Sequence, residues 1–192
     1  ASRALIPIYP LYAVMFLAEG ITAVGLASLI AIWSSVVLLA EVPSGALADR
    51  TSRKRLVLVG MWMKAAAFLI WYVWRDYWGF AAGFVCWGLG SSLRSGAQEA
   101  LMYEMMQGFG READFPRFYG VFSSLTMLSS SAGQLAGGML IFLGYDTVLL
   151  ISAVMPIVST IPIMIFVAEP TRRASPDQRN DYWATLASGV RV

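Results

Sequence analysis

The chain alternates long apolar runs with short polar clusters. A helix needs about 20 predominantly apolar residues to cross about 30 Å of hydrocarbon. Residues 56–74 form one such run, interrupted only by Lys64. Residues 79–106 form another, with Arg94, Glu99 and Glu104 in its second half. Residues 118–143 and 147–168 carry no charge, although Pro156 and Pro162 fall in the latter. Prolines are tolerated in membrane helices because neighbours re-satisfy the freed carbonyls, so one helix is predicted there. Residues 4–40 carry a single charge, Glu19, and are too long for one helix. A break near 18–22 divides this region into helices over 4–17 and 24–46. The first piece rises only about 21 Å at 1.5 Å per residue. Helix 1 is therefore expected to be truncated, with residues missing upstream. Residues 1–168 read as a bundle of six transmembrane helices, an all-α membrane protein. Residues 169–181 are polar and contain proline, as a linker would. Tyr182, Trp183, Leu186 and Val190 then recur at helical spacing, which predicts a short amphipathic helix at the interface or the lead-in to a further span.

Composition agrees with the pattern. Hydrophobic residues make up 58% and charged residues 14%, with a mean hydropathy of +0.64. A soluble domain carries nearly twice that share of charge. Disorder, a soluble enzyme and a nucleic-acid partner are all disfavoured. There is no histidine, which removes the commonest general base and metal ligand. Cys86 is the one cysteine, so no internal disulfide forms. No nucleophile–base pair or metal cluster is visible, and neither an enzyme nor a cofactor is expected.

The net charge is only +2, so the placement of charge is what informs. Arg50, Arg53, Lys54 and Arg55 lie between helices 2 and 3, Arg111 and Arg117 between helices 4 and 5, and Arg172, Arg173, Arg179 and Arg191 after helix 6. The opposite connections hold only Arg75. By the positive-inside rule these loops, the N-terminus and residues 169–192 are expected on the cytoplasmic side of an inner (cytoplasmic) membrane. Trp71, Tyr72, Trp74, Tyr77 and Trp78 cluster at the outer end, as an aromatic interfacial belt would; a substrate-stacking site is the alternative.

A weak internal repeat runs at an offset of 93 residues: Gly45, Leu47 and Leu56 correspond to Gly138, Leu140 and Leu149. Helices 1–3 and 4–6 then read as related units, as in transporters built from inverted repeats. Between helices 2 and 3 stands Gly45-Ala-Leu-Ala-Asp49-Arg50-Thr-Ser-Arg53-Lys54-Arg55. It reads as a tight turn, in which Gly45 lets the helix end pack closely and Asp49 pairs with the bases or caps a helix. A merely basic loop accounts for the cations but not for the Gly-x-x-x-Asp ahead of them. The segment resembles motif A of the major facilitator superfamily, and the preceding Glu41-Val-Pro-Ser is typical of that family. Ser52 stands where a glycine is usual. Residues 95–104 resemble the end of helix 4 in many bacterial members.

The resemblance implies a six-transmembrane-helix half of that fold, a 3+3 inverted repeat, whose partner is a C-terminal six-helix half that this chain lacks. It also implies a latch in which Glu104 pairs with Arg53, with Gly45, Asp49, Arg50 and Lys54 completing the motif. Gly120, Ser129, Gly133, Gln134, Gly137 and Gly138 are spaced like motif C of drug/proton antiporters, with Gln134 in place of a proline; Gly133, Gly137 and Gly138 also suit plain helix packing. The arginine that antiporters often carry before a Gly-x-Gly in helix 4 is Phe84 here. Charges inside a span are costly and are functional candidates by default. Arg94 and Glu99 are the substrate or proton candidates, joined by Glu41 and by the neutral Gln98 and Gln134. Five residues, about 140° of helix, separate Arg94 from Glu99, so they need not pair. Lys64, in a peripheral helix, is expected to snorkel or pair. The function implied is secondary transport of a small organic solute by alternating access across the lipid bilayer, with a proton gradient driving efflux. Uptake of a narrow metabolite, or a non-transporting sensor or assembly protein on the same scaffold, are the alternatives. No phosphate-cradling Gly-x-x-x-x-Gly-Lys motif is present, which favours an ion gradient over ATP.

Overall fold

The computed structural model describes residues 5–167; the linker and amphipathic helix expected over 169–192 lie outside the described residues. Among the described residues the regular elements are all helical: α1 (Tyr12–Ala18), α2 (Ala23–Arg50), α3 (Arg53–Val73), α4 (Tyr77–Gly108), α5 (Phe115–Leu140), α6 (Tyr145–Val158) and α7 (Thr160–Phe166), with 3-10 turns at Glu112–Asp114 and Ile141–Leu143. Among the described residues, four stretches are long and apolar enough to cross a membrane: Ala23–Ala48, Arg53–Val73, Glu112–Leu143 and Tyr145–Ile165. Helix α4 falls short of that on composition, not length. Its 32 residues extend about 48 Å, but glycines, serines and charges dilute its apolar surface. It can carry them because α3 and α2 cover it on two sides.

Helices α3 and α4 form the spine of the bundle, joined by the short connection 74–76. Asp76 sets the turn: its Oδ1 accepts from the Gly79 N–H at 2.9 Å and its Oδ2 from Trp74 Nε1 at 2.8 Å. Those donors, the Gly79 amide first, hold the Asp76 carboxyl below its ordinary range. The two helices cross at Gly60 and Gly90. A Cβ on Gly60 would overlap the Gly90 carbonyl oxygen, and one on Gly90 would sit 2.7 Å from the Gly60 oxygen. Only residues without a side chain allow that approach.

The main core lies toward the end where α3 turns into α4. Phe16, Phe68, Trp71, Phe80 and Phe84 fill it, with Ile6, Ile8 and Leu149 beneath. Trp71 is fully buried; its Nε1 donates to the Phe80 carbonyl at 3.1 Å and its ring meets Phe16 edge-on at 4.9 Å. Membership of Trp71 in the interfacial belt is therefore corrected. It is the centre of the core, whereas Trp74 and Trp78 are exposed as a belt requires.

Three helix boundaries differ from the apolar runs. The helix expected over 4–17 starts only at Tyr12, and residues 7–11 are turns. Pro7 and Pro10 explain this, because each lacks an N–H and its ring obstructs the carbonyl four residues back. The freed Ile8 N–H donates instead to Ser152 Oγ on α6 at 3.0 Å. Helix α2 runs through Pro43 to Arg50, so Gly45–Arg50 is helical and the turn shrinks to Thr51–Ser52. The sixth helix is split at Ser159 into α6 and α7. Pro162 cannot donate to the Val158 carbonyl, and the Ser159 and Thr160 hydroxyls turn back onto Met155 and Ile157 at 2.8 and 2.6 Å.

Burial is uneven. Helix α2 and the stretch Glu112–Leu143, which holds α5, leave most of their apolar surface uncovered. Leu38 and Leu39 on α2, and Met127, Leu135 and Met139 on α5, are among the exposed side chains.

Candidate functional site

The basic end of the bundle is built from the start of α3, the second half of α4 and the start of α5. Ser52, the departure from the motif A glycine, is the N-cap of α3. Its Oγ accepts from the Arg55 N–H at 3.2 Å, and its φ of −60° does not require a glycine. Ser52→Ala is expected to cost about 1 kcal/mol and Ser52→Gly a few tenths, read as thermal unfolding in detergent. Equal melting of all three proteins would deny the cap.

Arg53, one residue on, reaches across to α4 and pairs with Glu104, Nη1 to Oε1 at 2.8 Å; the side chains are 17% and 23% exposed. Beside this pair opens a cavity of 380 Å³ lined by Arg53, Gly96, Glu99, Ala100, Tyr103 and Phe115. Tyr103 and Phe115 meet edge-to-face at 5.2 Å and form its wall. The structure thus brings Arg53, Glu99 and Glu104 together. Glu99 is exposed into this space.

The other motif residues are placed differently. Lys54 does not join the Arg53–Glu104 pair. Its Nζ donates to the carbonyls of Val167 at 2.6 Å and Met164 at 3.1 Å, satisfying the end of α7, as a cation at a helix C-terminus does. Arg50 is exposed, and Asp49 lies in the last turn of α2. Close packing at Gly45 is not found: a Cβ there would meet nothing within 4 Å among the described residues. Gly45 is exposed on α2, facing away from the bundle.

Deeper in the bundle, Arg94 is partly buried on α4, its Cβ against the space above Gly60. It makes no ion pair with Glu99 or with any other described carboxylate. Gln98 is partly buried beside it in sequence. Glu41 is exposed on α2, and no ion pair to a described residue holds it. Gln134 is exposed on α5 and donates to Ser130 Oγ at 3.3 Å. Gly133 and Gly137 pack against the unwound N-terminal segment: a Cβ on Gly133 would lie 2.9 Å from the Ile6 nitrogen, and one on Gly137 would overlap the Pro7 carbonyl. Gly138 faces open space. Phe84 is buried in the aromatic core and lines no polar path.

Sequence reasoning missed two arrangements. Lys64 neither snorkels nor reaches an end of its helix. Its Nζ sits 5.0 Å from the Tyr9 ring centroid and 5.4 Å from that of Trp87. At the other end, Arg75 bridges Glu19 at 3.2 Å and Asp146, tying the α1–α2 and α3–α4 connections to the first turn of α6. The Asp146 hydrogen bond, and then Glu19, hold the Arg75 guanidinium above its ordinary value. The signal for the second was its isolation, a single cation among the carboxylates of that end; nothing local signals the first.

Comparison with known proteins gives matches at the level of the chain. The family model described as Major Facilitator Superfamily matches residues 1–192. Multidrug resistance protein MdtH of Enterobacter sp. (strain 638) is 34% identical over 98 residues, which is 50% of this chain and 22% of that relative. The match with that relative thus spans about a fifth of its length. Motif, helical bundle and a family match along all 192 residues agree, and the chain belongs to the Major Facilitator Superfamily of multi-pass membrane transporters.

Proposed function

We propose that this chain is the N-terminal half of a proton-coupled exporter of small organic solutes, working by alternating access in the inner membrane with its basic end in the cytoplasm. The observation that carries the reading is the cavity into which Glu99 opens beside the Arg53–Glu104 pair. Glu99 is the proton carrier in this reading, and Arg53 with Glu104 is the latch that favours one of two global states. A partly exposed pair is worth about 1 kcal/mol, enough to bias two states of similar free energy. The uncovered apolar faces of α2 and α5 receive the second six-helix half. They are the helices that the 93-residue repeat relates, so a pseudo-symmetric pair of seams would form. The multidrug name of the relative supports efflux as the direction.

The test uses energised inverted vesicles holding the full-length protein. Accumulation of a set of radiolabelled aromatic solutes, cationic, neutral and anionic, is followed with and without an uncoupler. At least one solute is expected to load above vector vesicles, to be released by the uncoupler, and to lose most of its loading in Glu99→Gln. No loading of any member, or loading indifferent to the uncoupler, would overturn the reading. Uncoupler-sensitive loading that Glu99→Gln retains would remove Glu99 as the carrier.

A further inference from the structure

Two cations stand near the middle of the bundle, away from its charged ends. Lys64 is the twelfth of the 21 residues of α3, and Arg94 lies on α4 beside the Gly60 crossing, one turn of α3 from Lys64. The Lys64 ammonium lies over the Tyr9 ring. Trp87 stacks on Tyr9 at 5.4 Å with the planes 11° apart, and Trp87 and Arg94 share one face of α4, seven residues apart. Trp33 adds a third ring, 5.8 Å from Trp87, and its buried Nε1 finds no acceptor among the described residues.

This chemistry has a sign. A cation–π contact stabilises an ammonium partly, but a guanidinium inside a span calls for a counter-charge. The described carboxylates do not supply one to Arg94. Glu99 and Glu104 lie about 7.5 and 15 Å further along α4 by helical rise, Glu104 is engaged by Arg53, and Glu41 is exposed near the end of α2. Tyr9, Lys64, Trp87, Arg94 and Trp33 are all partly rather than fully buried. The segment that carries Tyr9 is not helical, and irregular backbone at membrane depth occurs where it is buried in protein or lines a cavity.

We propose that Arg94 and Lys64, with the stacked Tyr9–Trp87 pair and the Trp33 indole N–H, form a binding site for an aromatic carboxylate: Arg94 takes the carboxylate, Lys64 adds positive field, and the indoles receive the ring. The site is a substrate site only if the transport reading holds; as a binding site it stands independently. It selects against lipophilic cations, because placing a positive charge beside Arg94 in a medium of low dielectric is strongly unfavourable.

The experiment measures binding of tritiated 1-naphthoate to the full-length protein in nanodiscs, by scintillation proximity. Unlabelled 1-naphthoate and 1-naphthylmethylammonium, which share the ring and differ in charge, serve as competitors. The wild type is expected to bind naphthoate saturably and to be displaced by naphthoate but not by the ammonium. Arg94→Gln and Lys64→Gln should each weaken binding by about tenfold or more, the scale of a lost charge-assisted contact, and Arg94→Lys by less than Arg94→Gln. Absence of saturable binding, equal competition by the ammonium, or wild-type affinity in both glutamine variants would overturn the site. The competitor comparison is made on the wild type, so it decides the matter even where Arg94→Gln does not fold. Naphthoate failing while another solute is pumped removes this site and leaves transport standing. Saturable, Arg94-dependent binding without transport of any solute does the reverse.

Discussion

Gly60→Val is expected to abolish recovery of folded protein, and Gly60→Ala to destabilise it by roughly 1–3 kcal/mol, the range of overpacking. The reason is what a new Cβ would strike. At Gly60 it meets the carbonyl oxygen of Gly90 and, at 3.0 Å, the Arg94 Cβ. A carbonyl in the middle of a helix cannot rotate away without losing its own hydrogen bond. Helices α3 and α4 must then separate, and the core between them opens. Helix association in a bilayer depends on such close packing, because lipid tails compete for apolar surface as well as protein does. Gly108→Ala supplies the control: a Cβ there meets nothing within 4 Å, and the melting temperature should stay or rise slightly with helix propensity. Size-exclusion profiles and thermal melts in detergent read both effects. A Gly60→Val protein that elutes and melts as wild type would mean that the helices do not cross at these glycines.

Trp71→Ala is the second large effect, about 3–5 kcal/mol from the cavity left by a buried tryptophan. The indole packs against Phe16, Phe68, Phe84 and Trp87 and closes a hydrogen bond to the Phe80 carbonyl. Its loss removes dispersion contacts that lipid cannot replace inside the bundle. Trp78→Ala, at a ring 68% exposed, should change the melt by about 0.5 kcal/mol or less. The two residues are seven apart in one sequence cluster, so the contrast separates core from belt. Equal effects of both substitutions would place Trp71 at the surface and overturn the core described above.

That contrast also marks how far the sequence is legible. The helical type and most of the extent of the spans follow from apolar runs, because a span must be apolar over a fixed length. Which side of each helix faces its neighbours does not follow. In lipid a helix is apolar all round, and the period that betrays a buried face in a soluble protein is lost. Trp71 and Trp78 are therefore alike in sequence and opposite in place. Lys64 shows the same limit: nothing local distinguishes a lysine that rises to the interface from one under two aromatic rings. Local backbone chemistry is legible in the prolines. Pro7, Pro10 and Pro162 break their helices, whereas Pro43 does not. At the candidate site, the arginine and the acid that the motif suggests do stand in contact. The carbonyl partners of Lys54 were hidden, because they lie more than 100 residues away on α7.

The unwound segment around Pro7 has a consequence for how the protein is made. Its neighbours are Gly133 and Gly137 on α5 and Ser152 on α6. None of these exists when the segment leaves the ribosome. The α3–α4 hairpin, whose partners are close in sequence, can assemble as it is inserted. The residues around Ile8 must wait in the membrane until Ser152 has been synthesised. A segment made before all its partners is thus among the last to find its place, and it closes the bundle as a keystone closes an arch.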